Sequence, residues 1–129
     1  MKLQGVVPLL QVGNLRETIA YYQDCLGFQQ DFLWERDGVA IWAGVSRGEV
    51  SFMLTRDLGT SDQSFIAEKG NGVAFYIIVD EIEPLYDEML ANNALIVQDM
   101  MAFGDRRQFT VGDPNGYVIT FSEPYQPPA

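Results

Sequence analysis

Between Asp31 and Asp37 the chain reads DFLWERD, which sets three carboxylates (Asp31, Glu35, Asp37) around two rings, Phe32 and Trp34. Carboxylates can meet a cationic group. Ring faces attract flat ligands and cations alike, each such contact being worth roughly 0.5–2 kcal/mol. Further rings recur at Trp42, Phe52, Phe75, Phe103, Phe109 and Tyr117. The pattern suits recognition of a planar, cationic small molecule. It suits equally an aromatic core under a solvated acidic surface, because rings favour both settings. Arg107 divides the same way, between a polar group of a ligand and a surface ion pair of little value.

The chemistry the chain lacks is as informative. It has no histidine and one cysteine, Cys25. A Ser-His-Asp triad, a Cys-His pair and an imidazole general base are therefore excluded. So is a zinc, nickel or iron site built on His, or a thiolate site. An oxygen-only site for a hard cation needs clustered carboxylates, and none stands at motif-like spacing. The expectation is a protein without metal or cofactor that binds rather than catalyses. An enzyme working through carboxylates such as Glu35 or Glu49 is the remaining catalytic alternative.

Eight basic against eighteen acidic residues give a net charge of −10 and a pI near 4.1. That balance argues against nucleic acid or an anionic membrane as partner and permits a cationic ligand. With 129 residues and 47% hydrophobic content the chain can build a real core. No apolar run approaches the roughly 18 residues of a membrane span. The opening MKLQGVVPLLQV is too short an apolar stretch for a signal peptide, so a cytoplasmic location is expected. A lone cysteine forms no internal disulfide and agrees with a reducing compartment.

The elements that would position these residues follow from periodicity. GVVPLLQV (5–12) predicts a strand with a proline near its start. Asn14 with Glu17 three residues later predicts a capped helix, and Leu15, Ile19, Tyr22 and Leu26 give it one apolar stripe before Gly27 stops it. Three strands follow, with turns at Arg36-Asp37-Gly38 and Ser46-Arg47-Gly48. Residues 56–71 read as a polar, glycine-rich loop. A strand at 72–79 and a helix over 80–93 come next, the helix with a buried stripe of Ile82, Leu85, Tyr86, Met89 and Leu90. Three more strands complete the chain. Asp113-Pro114-Asn115-Gly116 is a turn, and beyond it Tyr117, Ile119 and Phe121 share one face while Val118, Thr120 and Ser122 share the other.

The order βαβββ thus occurs twice at a period of about 65 residues. The prediction is an α+β fold: two βαβββ modules (1–58 and 72–129, joined by a 59–71 connector) in one domain, forming curled sheets around a cavity with helices outside.

The stretches VPLLQVGNLRETIAYYQDCLGFQQDF, EIEPLYDEM and RRQFTVGDPNGYVITFSEP, with the repeat, resemble the glyoxalase/bleomycin-resistance/dioxygenase group, the vicinal oxygen chelate superfamily. The resemblance spans nearly the whole chain. It implies a divalent-metal site in the superfamily's enzymes at positions that fall here on Val7, Phe52, Val73 and Thr120. None of these is an ordinary metal ligand, three being apolar. VPLL, LGFQQDF, LYDE and FGDRRQFTVGDPNG are more similar to the antibiotic-binding branch, which sequesters bleomycin-type glycopeptides in grooves between two subunits without chemistry. In that branch an aromatic ahead of the arginine–aromatic strand motif stacks on the ligand; here Phe103 holds the place, where a Trp is expected, ahead of Arg107 and Phe109. The resemblance implies a homodimer and a ligand site that includes Phe32, Trp34, Glu35, Trp42, Phe52, Phe103, Arg107, Phe109 and Thr120. A module for a ligand other than a drug is the second functional reading.

Overall fold

Strand β1 (Leu9–Val12) starts one residue after Pro8, later than the apolar run at 5–12 predicts. Helix α1 (Leu15–Asp24) follows at once. Asn14 caps it as its type and spacing predict, its Oδ1 accepting from the Glu17 backbone N–H at 3.0 Å. All four residues of the predicted stripe, Leu15, Ile19, Tyr22 and Leu26, are buried. Strands β2 (Gln29–Arg36), β3 (Val39–Arg47) and β4 (Val50–Arg56) complete the first repeat. Asp37 and Gly38 both hold positive φ (52° and 78°), as a two-residue turn between right-twisting strands demands.

The second repeat runs β5 (Ala74–Ile78), α2 (Ile82–Ala91), β6 (Leu95–Phe103), β7 (Arg106–Gly112) and β8 (Val118–Pro124). Its helix differs from the first at the N-terminus. Glu81, the N-cap residue, makes no side-chain cap, and the Ile82 N–H instead donates to Glu123 Oε2 on β8 at 3.3 Å. Ile82 and Met89 are buried, but Leu90, expected in the same stripe, is exposed. Leu90 sits about 100° around the helix from Met89, beyond the face that packs.

This computed structural model describes residues 1–56 and 69–124, apart from the Phe103 side chain; most of the predicted 59–71 connector lies outside the described residues. The chain divides into two compact units, Met1–Gln63 and Ser64–Ala129. Each holds one four-stranded mixed sheet, ordered β1-β4-β3-β2 and β5-β8-β7-β6, and neither sheet closes into a barrel. In each, the first strand runs parallel to the last and the other neighbours are antiparallel. The α+β fold of two βαβββ modules predicted from sequence is the fold observed. No helix among the described residues is long and apolar enough to cross a membrane.

One face of each sheet is the core of its unit. In the first, Tyr22 of α1 meets Phe52 and Phe28 edge-on at centroid distances of 6.0 and 5.8 Å, with Leu10, Val12, Ala43, Val45 and Leu54 buried beside them. In the second, Tyr86 of α2 meets Phe109 at 4.9 Å, and Phe109 packs on Phe121 at 5.3 Å. Cys25, the C-cap of α1, is half-buried. Burial and then the adjacent Asp24 carboxylate push its thiol pKa up, which keeps it in the less reactive thiol form.

Candidate ligand-binding faces

Strand alternation puts a second set of side chains on the sheet face opposite each helix. In the first unit, backbone register aligns Leu9, Met53, Gly44 and Phe32 in one row across all four strands. The next row is Gln11, Thr55, Trp42 and Trp34. Phe32 and Trp42 meet edge-on at 4.8 Å, and Trp42 and Trp34 at 6.3 Å. Arg36 extends the row, its guanidinium carbon 5.5 Å from the Trp34 ring centre. Trp34 is 50% exposed and Phe32 36%. Three rings and a cation thus form a platform that no helix of this unit covers.

Two local features make the platform. Register shifts flank it, one between Gln30 and Phe32 and one between Trp34 and Glu35. Bulges of this kind bend a strand and re-aim its side chains. The residue opposite Phe32 is Gly44, and a Cβ built there would collide with the Phe32 ring, with Phe32 Cδ1 at 2.8 Å. The ring therefore lies down on β3 because its partner has no side chain.

The carboxylates of the DFLWERD stretch part ways: Glu35 turns to the helix side, while Asp31 stays on the open face beside Phe32, bonded to Ser46, whose β4 partner is Ser51. Glu35, one step past the second shift, pairs with Arg16 of α1 at 3.0 Å. Asp31 accepts from Ser46 Oγ at 3.0 Å and from Gln29 Nε2 at 3.1 Å. Asp37 stands in the hairpin turn.

The corresponding face of the second unit carries hydroxyls along β7 and β8 and exposed apolar side chains on its edge strands, Ile78 of β5 and Leu95 and Val97 of β6. Thr120 Oγ1 lies 2.7 Å from Thr110 Oγ1 across the β7–β8 pair, and Tyr76 donates its hydroxyl to Ser122 Oγ at 2.8 Å. Arg106 sits over the Tyr76 ring, its guanidinium carbon 6.0 Å from the centroid. A shallow hollow of about 450 Å³ at the start of β5, lined by Gly70–Ala74, Gly116 and Val118, contains none of the predicted ligand contacts.

Four of the nine expected site residues lie on the sheet faces away from the helices: Phe32, Trp34 and Trp42 on the first unit, Thr120 on the second. Four do not. Phe52 is 2% exposed and Phe109 fully buried, both packed against helices, so neither presents a surface to a ligand. Arg107 points to the helix side, donating to Glu83 at 2.7 Å and Glu123 at 3.0 Å. The hydrogen bond with Glu83 raises its pKa; burial partly offsets this, and Glu123 adds to the rise. Glu35 is the fourth, held by Arg16. Phe103 ends β6 opposite Arg106 in register, and its side chain lies outside the described residues. Sequence reasoning placed Ser122 beside Thr120 but passed over Arg106 and Tyr76; the signal for Arg106 is alternation, since it stands two residues from Gln108 and four from Thr110.

The chain matches the family described as Glyoxalase/Bleomycin resistance protein/Dioxygenase superfamily over residues 5–121. The chain belongs to this superfamily. No curated protein matches it by sequence. Among solved structures it is similar to the bleomycin-binding protein from bleomycin-producing Streptomyces verticillus complexed with copper(II)-bleomycin, with 26% identity and a TM-score of 0.68 over 94% of this chain and 96% of that one. It shares its fold with TioX from Micromonospora sp. ML1 (18% identity, TM-score 0.70, 98% and 100% covered). It does so also with a glyoxylase/bleomycin resistance protein/dioxygenase domain from Frankia sp. EAN1pec (17% identity, TM-score 0.73, 95% and 99% covered).

Among the superfamily's expected metal positions, register corrects one. Phe52 faces α1, and the β4 residues that alternate to the other face are Ser51, Met53 and Thr55. Val7 and Val73 stand ahead of their strands, and Thr120 is bonded to Thr110. Among the described residues no three His, Cys, Asp or Glu side chains gather into a group that could hold a metal ion.

Proposed function

We propose that this protein sequesters an aromatic-bearing, cationic small molecule of the bleomycin type on its uncovered sheet faces, without acting on it chemically. The observation that carries this reading is the Phe32–Trp42–Trp34 platform. Large rings left half-exposed and mutually braced at 4.8 and 6.3 Å offer flat surface at little entropic cost. Likeness to a bleomycin-binding protein at 26% identity supports it, as does a charge of −10, which favours approach of a cation. On the resemblance to that branch, the binding form is a homodimer; the lone cysteine agrees with a cytoplasmic location.

A second reading, a module for a ligand other than a drug, is favoured by the paired hydroxyls on the open face of the second unit and by Phe103 standing where a Trp is expected. Titration with metal-free bleomycin separates the two. Trp34 and Trp42 are the chain's two tryptophans, so intrinsic fluorescence reports on the platform directly. The expected result is saturation near one ligand per subunit, weakened by salt. Trp34→Ala should lower that affinity about ten- to hundredfold, since ring stacking on one aromatic contributes roughly 1–3 kcal/mol. A flat titration of folded, dimeric protein would remove bleomycin as the ligand. An undiminished affinity in Trp34→Ala would remove the platform as its site.

A further inference from the structure

Adjacent arginines of β7 have opposite fates. Arg107 takes both nearby carboxylates, Glu83 and Glu123, on the helix side. Arg106 alternates to the other face, over Tyr76, where its Nη1 is buried and has no hydrogen-bond partner. The hydroxyls of that face are already engaged with each other, Tyr76 with Ser122 and Thr110 with Thr120. A buried guanidinium nitrogen without an acceptor is costly, and folded chains ordinarily supply one. Among the described residues no carboxylate bonds this nitrogen.

We propose that Arg106 is the ligand-reading arginine of this face, holding an oxyanion (carboxylate, sulfonate or phosphate) carried by an aromatic small molecule. The proposal rests on the reading that the uncovered faces bind a small molecule, and it adds to the ligand an acidic group that net charge alone would not predict. A guanidinium edge donates two parallel N–H bonds to such a group. The Tyr76 ring, 6.0 Å away, favours the guanidinium at this place by cation–π attraction.

Two probes with one ring and opposite charge test this: naphthalene-2-sulfonate and naphthalen-2-ylmethylammonium. Each is titrated calorimetrically into the full chain at about 0.15 M salt, where a Debye length of about 8 Å screens the protein's net charge. The sulfonate is expected to bind the wild type and to bind R106M at least about tenfold more weakly. R106K should fall between them, keeping the charge without the fork. The thermal midpoint of ligand-free R106M should be unchanged or raised, because the orphaned donor is gone. Equal affinity for the sulfonate in R106M overturns the proposal. So does a lowered midpoint, which would make Arg106 a structural residue. Binding of the ammonium probe but not the sulfonate also overturns it, while leaving the aromatic platform as a ligand site. Failure of both probes removes the small-molecule reading of these faces together with the proposal.

Discussion

Replacing Phe52 by Ala is expected to destabilise the protein by about 3–5 kcal/mol, the range for truncating a fully packed aromatic. The ring is 2% exposed and lies within 6.0 Å, centre to centre, of both Tyr22 and Phe28. Its removal leaves a hole under α1 that this well-packed helix cannot collapse to fill. Total stability of a domain is commonly about 5–15 kcal/mol, so the variant should melt far earlier in urea. Trp34→Ala should leave the urea midpoint nearly unmoved, since half of that side chain is already in solvent. Phe52→Ala with an unchanged midpoint and lost bleomycin binding would show that the two faces of the first sheet have been assigned the wrong way round.

The second large effect is expected at Asp113. Its carboxylate is buried, and one oxygen, Oδ1, accepts from the backbone N–H of Asn115 at 2.8 Å and of Tyr117 at 3.0 Å. This Asx turn sets where β8 begins. Asp113→Ala removes this acceptor from two buried backbone donors, each loss costing about 1–3 kcal/mol, for a total of about 2–6 kcal/mol. Asp113→Asn retains a carbonyl oxygen in the same place and should lose much less. Urea unfolding of both variants provides the measurement. Equal midpoints for Ala and Asn would mean that the two hydrogen bonds do not hold the turn.

Much of this architecture was legible in the residues themselves. Asn14 with Glu17, the stripe Leu15–Ile19–Tyr22–Leu26, and the Asp-Gly and DPNG turns are local signals, and each formed where it was read. The site was less legible, for a reason intrinsic to strands. Alternation says that Phe52 and Leu54 share a face and that Met53 and Thr55 share the other. It does not say which face the helix covers, and a one-residue error reverses the whole strand. Rings drew the reading toward Phe52 and Phe109, yet in this chain both faces of each sheet carry large side chains. Arg107, expected at the ligand from the family motif, lies on the helix side for the same reason. The shifts beside Phe32 and Trp34 have no residue signature, whereas the parting of Trp34 to the platform and Glu35 to Arg16 is ordinary alternation once the helix-covered face is known.

The two helices begin in different ways, and this bears on the order in which the units assemble. Helix α1 brings its own cap from the residue before it, so its first turn can close as soon as that segment exists. Helix α2 borrows Glu123, which lies 41 residues from Ile82 and in the last strand of the chain. Its first turn gains that bond only after β8 has docked, and closing so long a loop carries an entropic penalty that a local cap avoids. In pulsed hydrogen exchange during refolding, the Ile82 amide should therefore gain protection together with those of β8, later than the amides of α1. The same dependence makes the start of α2 the part of the second unit that a truncation after Ser122 would fray first.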